Sequence, residues 1–286
     1  MLPGYIVNEK TISYNDKQKQ FCIIRRRNID MRRLGRIFKD DGKTVIVAMD
    51  HGMGLPVNPA LDDLSRTIRQ ISDGGADAVL TTVGIAKEYE KELKNVGLIL
   101  RMDGGGSCLN KDDECPDLLY TMEEAIRIGA DAVACMGFPG ASYEHRCMSN
   151  LAELVEMGHE YGIPVMAEML PGGFNPAVPN SVENLVITAR TGCDYGADII
   201  KTSYCGPKDE FRRVIAASYK PVVVLGGEKV KDLDSLFECI EEAVSVGASG
   251  VAIGRNVWKS SDPAAVVRAL VSLVHGGAHA ADIHLD

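Results

Sequence analysis

The chain has no run of about eighteen consecutive apolar residues, the length a helix needs to cross a bilayer, so no membrane partner is expected. Its start, M-L-P-G-Y-I-V-N-E-K, has neither the basic opening nor the long apolar stretch of a secretory leader. Positive charge is in deficit. Thirty-one Lys and Arg against 40 Asp and Glu give a net charge of −9, which argues against a nucleic-acid-binding surface. A small anionic ligand is not excluded, because phosphate sites are built from local backbone amides. None of the eight cysteines (Cys22, Cys108, Cys115, Cys135, Cys147, Cys193, Cys205 and Cys239) forms a C-x-x-C pair. Neither a metal site nor a disulfide framework is indicated, and a reducing, cytoplasmic setting is expected. Cys135 and Cys239 fall in apolar patterns and are expected in the core. No G-x-G-x-x-G follows the first strand, which counts against an open dinucleotide-binding sheet.

What the chain does have is rhythm. Its 286 residues are long for a two-layer domain and comfortable for one (β/α)8 barrel of about 250 residues. From residue 44, short β-rich runs alternate with amphipathic segments of helical length, the pattern of βα units around a parallel sheet. Strands are expected at 44–49, 77–82, 97–102, 131–136, 164–169, 198–203, 221–225 and 250–254, and helices at 60–73, 84–95, 121–128, 146–161, 181–194, 208–217, 232–246 and 262–274. A short phrase recurs at the helix-to-strand joints: G-G-A-D-A-V (74–79), I-G-A-D-A-V (128–133), Y-G-A-D-I-I (195–200) and V-G-A-S-G-V (246–251). Glycine there can end a helix, and the small residues after it allow a tight turn onto the sheet. Eight strands with eight helices predict an α/β fold, a (β/α)8 barrel over residues 41–286, with residues 1–40 as an N-terminal extension or arm. The basic stretch R-R-R-N-I-D-M-R-R-L-G-R (25–36) reads either as an anion contact or as a solvated helix or subunit-contact arm.

In such a barrel, residues just past each strand's C-terminal end converge on one mouth, where the chemistry sits. Lys201 closes the apolar run A-D-I-I-K (197–201). Lysine is rarely buried, and burial disfavours its charged form, which would leave a neutral amine able to attack a ketone and form a Schiff base. The alternative is that it reaches solvent at the strand end. Asp50 and His51 follow the first strand, and Asp50 could manage protons or merely cap a loop amide. Glu168 lies in an apolar strand, where a charge is costly unless paired, and its candidate partner is Lys201 or a substrate hydroxyl. R-M-D-G-G-G-S (101–107) offers three glycines that let backbone approach a ligand or simply form a turn. Tyr143, Glu144 and His145 are polar candidates after the fourth strand, and Cys205 is a candidate reactive thiol. Gly226 and Gly227 after the seventh strand, with Gly254 and Arg255 after the eighth, form two glycine loops where barrels commonly hold phosphate.

Taken together, A-M-D-H-G (48–52), I-I-K-T (199–202), V-L-G-G-E-K (224–229) and G-V-A-I-G-R-N-V-W (250–258) resemble the archaeal-type class I fructose-bisphosphate aldolases, the DhnA-like aldolases, from about Gly35 to Ala281. That resemblance implies a (β/α)8 barrel, a Schiff-base lysine at Lys201, a strand-one aspartate at Asp50, and phosphate loops at Gly226, Gly227, Gly254 and Arg255. It also implies a homo-oligomer, often a decamer in that family. One departure matters. The sugar-phosphate aldolases carry a catalytic tyrosine before the proline that aligns with Pro171, and this chain has Leu170. The autoinducer-2-processing thiolase branch also lacks that tyrosine, and the chain is similar to it at L-G-R-I-F (34–38), G-K-T-V (42–45), Y-E-H (143–145) and G-I-P-V-M-A (162–167).

The expectation is a class I aldolase-type lyase that makes or breaks a carbon–carbon bond in a phosphorylated ketose or keto compound. Lys201, Asp50, His51 and Glu168 are its candidate catalytic residues, and no metal or cofactor is expected. A second reading is a thiolase or acyltransferase on a phosphorylated diketone, with coenzyme A as co-substrate. A third is a non-catalytic sugar-phosphate sensor.

Overall fold

The eight apolar runs form eight parallel strands: β1 Thr44–Ala48, β2 Ala78–Thr81, β3 Gly97–Arg101, β4 Ala132–Gly137, β5 Val165–Met169, β6 Ile199–Ser203, β7 Val222–Leu225 and β8 Gly250–Ile253. They pair in chain order, and β8 returns to β1 with Thr44 opposite Gly250, closing the barrel. The computed structural model describes residues 32–285 apart from 55, 110–114, 174, 176 and 228–231. Helices cover the outside near the expected positions, with local differences. The first begins at Leu64 after a short turn at Pro59–Leu61. The segment expected at 84–95 breaks at Tyr89 into Val83–Glu88 and Glu90–Leu93. A short helix, Arg255–Trp258, follows β8, and a two-residue ribbon pairs Asp103–Gly104 with Asp117–Leu118. No helix among the described residues is long and apolar enough to cross a membrane.

The repeated joint phrase has two jobs. Gly75, Gly129, Gly196 and Gly247 all turn with positive φ, from 84° to 110°, a conformation that costs glycine nothing. The aspartates that follow tie neighbouring strands together at their starts. Asp77 Oδ2 accepts the Val45 N–H at 2.6 Å, Asp131 Oδ2 that of Leu98 at 3.0 Å, and Asp198 Oδ2 that of Val165 at 3.0 Å. Each carboxylate extends the ladder by one bond beyond the last backbone pair. The fourth phrase has Ser249 in place of aspartate, and there the Ser249 backbone N–H makes the link to the preceding strand, donating to Val222 O at 2.7 Å.

Alternation along each strand separates two apolar clusters, because successive side chains face opposite sides. Val45, Val47, Val79, Leu98 and Val133 face the helices. Ile46, Ala48, Leu80, Ile99, Ala134, Met166, Ile199, Val223 and Ala252 fill the barrel, together with Leu34, Ile37 and Phe38. Those last three close the floor, so the core begins before residue 40 and the expected boundary of the extension moves toward the N-terminus. In the basic stretch, Arg33 Nη1 donates to Ala130 O at 2.8 Å, and Arg36 lies 3.7 Å from Asp131. The described part of that stretch therefore caps strand-start backbone at the floor, while residues 25–31 lie outside the described residues. Cys135 is buried as expected. Cys239 is not: it is exposed, because Leu236, Phe237, Ile240 and Ala243 make the buried face of helix Leu233–Ser245.

The C-terminal helix Pro263–Val274 is tied to the floor by His275, whose Nδ1 lies 2.8 Å from Asp41 Oδ2 and whose Nε2 lies 2.9 Å from Asp77 Oδ2. The bond to Asp77 outweighs burial and, with Asp41, raises the His275 pKa above the ordinary imidazole value. A raised folded-state pKa gives stability that is present in full below about 6.5 and is lost as pH rises through the folded value. The melting temperature of His275→Gln should lie about 2–4 °C below the parent at pH 6, on the order of one charged hydrogen bond, with the gap closing toward pH 9. A gap that is constant with pH would show that His275 acts by packing alone.

Candidate active site

The barrel interior is apolar up to the level of Ala48, Ala134 and Ala252, and above it the inward positions turn charged. Lys201 on β6 stands directly opposite Glu168 on β5. Lys201 Nζ lies 2.8 Å from Glu168 Oε1, and the two residues are 4% and 7% exposed. The residue that joins the rest together is Arg101, the last residue of β3. Its Nε donates to Asp50 Oδ2 at 2.8 Å, its Nη2 donates to Glu168 Oε2, and its Nη1 lies 3.4 Å from Asp103 Oδ1. Asp103 is held in turn by the Met136 N–H, which donates to its Oδ2 at 2.8 Å. Asp50, Arg101, Glu168 and Lys201 thus alternate in sign along one buried chain of contacts.

That alternation decides their ionisation. Burial pushes the Glu168 carboxyl up, but Lys201 and Arg101 outweigh it and hold it below the ordinary glutamate value. Burial likewise works against ionised Asp50, and Arg101 with Lys201 overcomes it, holding Asp50 well below the carboxylate range. At Asp103 burial wins, and its carboxyl is raised despite Arg101. His51 behaves differently. Burial holds its imidazole below the ordinary value although Asp50 pulls the other way, so it is neutral at pH 7. Its Nδ1 lies 3.7 Å from Asp50 Oδ1, too far for a hydrogen bond.

His51 belongs instead to the seam between β1 and β8. Its ring meets Trp258 edge-on at 5.6 Å, and Trp258 Nε1 donates to Ala48 O at 3.1 Å. A Cβ on Gly254 would lie 2.4 Å from His51 Cε1 and 2.5 Å from Ala48 O, so only glycine fits there. The two glycine loops are drawn together by side chains: Arg255 Nη2 donates to Gly227 O at 2.9 Å and Asn256 Nδ2 to Gly226 O at 3.0 Å. Gly227 has φ 60°. Glu228 and Lys229 of the same motif lie outside the described residues.

The remaining candidates do not join the cluster. Glu144 and His145 are exposed, and Glu144 Oε2 accepts the Gly140 N–H at 2.9 Å. Tyr143 packs edge-on against Phe138 with ring centroids 6.1 Å apart. Leu170 is buried in an apolar group with Phe138 and Cys147 at the mouth. Burial raises the Cys205 thiol, the reverse of an activated nucleophile. Of the three glycines after β3, Gly104 is taken by the two-residue ribbon. Sequence reasoning read that segment for its glycines and missed Arg101 and Asp103. The signal was present: G-L-I-L-R (97–101) closes on a charge just as A-D-I-I-K (197–201) does.

Comparison with known proteins agrees with this placement. The family model described as DeoC/LacD family aldolase matches residues 44–260, from β1 through the helix after β8. The chain belongs to the DeoC/LacD aldolases. Among curated relatives it is 35% identical to the 2-amino-3,7-dideoxy-D-threo-hept-6-ulosonate synthase of Halobacterium salinarum, over 86% of this chain and 91% of that one. It is 31% identical to the 3-hydroxy-5-phosphonooxypentane-2,4-dione thiolase of Klebsiella pneumoniae, over 88% of this chain and 83% of that one. Among solved structures it superposes with a TM-score of 0.78 and 30% identity on an archaeal fructose-1,6-bisphosphate aldolase whose catalytic Lys is covalently bound to the carbinolamine intermediate of the substrate. That match covers 85% of this chain and 98% of the other. The family assigns the chain to class I, Schiff-base aldolase chemistry.

Buried charges are tolerable only in company, so removing one is costly. Glu168→Leu leaves two buried cations short of a carboxylate and should destabilise the fold by about 3–5 kcal/mol in urea titrations. Glu210→Leu breaks an exposed pair with Arg213 and should cost less than about 1 kcal/mol. Equal costs would contradict the electrostatic account.

Proposed function

We propose that Lys201 forms the imine and that the substrate is a phosphorylated ketose or keto compound whose carbon–carbon bond is made or broken beside it. The observation that carries this reading is the 2.8 Å contact of Lys201 Nζ with Glu168 Oε1, buried at the C-terminal mouth of the barrel. That contact holds the amine in place, and once the ammonium has given its proton to water the free amine attacks the substrate carbonyl carbon. Glu168 relays one of the nitrogen's protons to the carbinolamine oxygen, and a second proton taken back from water lets that oxygen leave as water. The resulting iminium withdraws electrons from the adjacent carbon–carbon bond, and the electron pair of that bond is stored as an enamine. Asp50, kept ionised by Arg101 and Lys201, accepts the proton of the cleaved hydroxyl. Gly226, Gly227 and Gly254 with Arg255 hold the phosphate, as the drawn-together loops and the cation beside them favour. No metal or cofactor is needed for these steps.

Leu170 favours a second reading. A leucine in an apolar group at the end of β5 offers no hydroxyl to protonate a leaving fragment, and a relative 31% identical is named a thiolase. In that reading coenzyme A takes the fragment and leaves as an acyl thioester. The homo-oligomer expected from the sequence is part of both readings and is open to sedimentation of the full chain.

Borohydride reduction in the presence of a panel of keto-sugar phosphates should add the reduced ligand to the peptide containing Lys201, and Lys201→Arg should abolish the adduct. Glu168→Gln should slow turnover by about 10²–10⁴-fold, the usual worth of one acid–base group. An aldehyde released without coenzyme A supports the lyase, and an acyl thioester formed only with it supports the thiolase. Absence of any adduct with a ligand shown to bind would refute imine chemistry at Lys201.

A further inference from the structure

Arg101 sits at the one point where the strand ends can be tied together. Asp50 follows β1, Arg101 ends β3 and Glu168 lies in β5, so the C-terminal ends of three odd-numbered strands are joined through one guanidinium. A guanidinium is a rigid fork, able to hold two or more carboxylates in fixed directions. Here Nε faces Asp50, Nη2 faces Glu168 and Nη1 faces Asp103. Arg101 is 4% exposed, and each of its three nitrogens faces a carboxylate. It is therefore poorly placed to bind the substrate's phosphate. The charges of Asp50, Glu168, Arg101 and Lys201 sum to zero. Without Arg101, two carboxylates would compete for one ammonium.

We infer that Arg101, anchored by Asp103, is a positioning residue that aims Glu168 at Lys201 and keeps Asp50 from competing for the same amine. This rests on the reading that Lys201 forms the imine, and it assigns the division of labour within that site. Asp50 and Glu168 can act separately, one on the cleaved hydroxyl and one on the amine, because Arg101 stands between them. Asp103 turns the fork, and it is itself fixed by the backbone of Met136 on the neighbouring strand.

The test is the rate of borohydride trapping on Lys201, measured with saturating dihydroxyacetone phosphate or fructose 1,6-bisphosphate across a pH series. Arg101→Gln should trap on the order of 10²-fold more slowly, with the half-saturating ligand concentration changed less than about threefold. The pH at which trapping reaches half its plateau should rise by about one unit or more, because carboxylates lose their cation and the amine is held by two of them. In a Glu168→Gln background the same change should slow trapping by less than about threefold further, since Arg101 acts through the group already removed. Arg101→Lys, which keeps the charge and loses the fork, should fall between parent and Arg101→Gln. If Arg101→Gln fails to fold, Arg101→Lys and the double variant with Glu168→Gln, which no longer strands that carboxylate, carry the comparison.

A parent-like trapping rate in Arg101→Gln, or in Arg101→Lys, overturns the inference. So does an equal fold-loss in the parent and Glu168→Gln backgrounds, which would mean that Arg101 acts independently of Glu168. If the parent protein itself gives no adduct, it is the imine reading that fails, and that failure is visible before any Arg101 variant is made.

Discussion

Two carboxylates and two cations lie out of water at the mouth of an otherwise apolar barrel, and the site depends on their alternation in sign. Each ion taken from water costs several kcal/mol after relaxation, and the cost is offset only where a partner of opposite charge stands in hydrogen-bond range. Asp50 to Arg101, Arg101 to Glu168, and Glu168 to Lys201 meet that condition in sequence. The same constraint explains why ionisation is so uneven among the carboxyls. Asp50 and Glu168 have two cations each within reach and stay charged, while Asp103, with Arg101 alone at 3.4 Å, is pushed the other way by burial.

A cluster of long charged side chains also needs room. The barrel supplies it with small residues, since Ala48, Ala134 and Ala252 face inward just below the charged level and Ala134 stands opposite Arg101 on the neighbouring strand. Larger residues lie lower, and Leu34, Ile37 and Phe38 close the opposite end. Stiffness comes from the strand starts, where Asp77, Asp131 and Asp198 each add a bond between an odd strand and the even strand after it. Ordered ends at the floor fix the register, and register decides which residues face inward. A slip of one residue on β6 would turn Lys201 out to the helices and Ile200 in.

Much of this was legible from residue order. The eight strands were found because apolar runs bounded by glycine and turn residues are specific at that length, and the G-A-D phrase marked the joints. Lys201 and Glu168 were found as charges inside apolar runs, which are unlikely without a partner. Arg101 carried the same signal and was hidden by the three glycines after it, which drew attention to backbone. The pairing of Glu168 with Lys201 was legible, but those made by Arg101 were not, because they join residues as far apart in the chain as 50, 101 and 168. Cys239 was misplaced because an apolar pattern on a helix locates the buried face only to within about one position. The floor residues were missed because a short turn has no periodicity to read.

His51 shows how little the neighbourhood of residues in sequence says about shared chemistry. It follows Asp50 directly, yet the two side chains serve different parts of the mouth. Asp50 turns to Arg101, while His51 packs edge-on against Trp258 beside Gly254, neutral and 3.7 Å from its predecessor. Burial keeps that ring neutral, and Lys201 and Arg255 add to the effect by opposing a further cation. The His51 ring lies where a Cβ on Gly254 would fall, 2.4 Å from Cε1, so the packing that keeps it uncharged also fixes the residue after β8 as glycine.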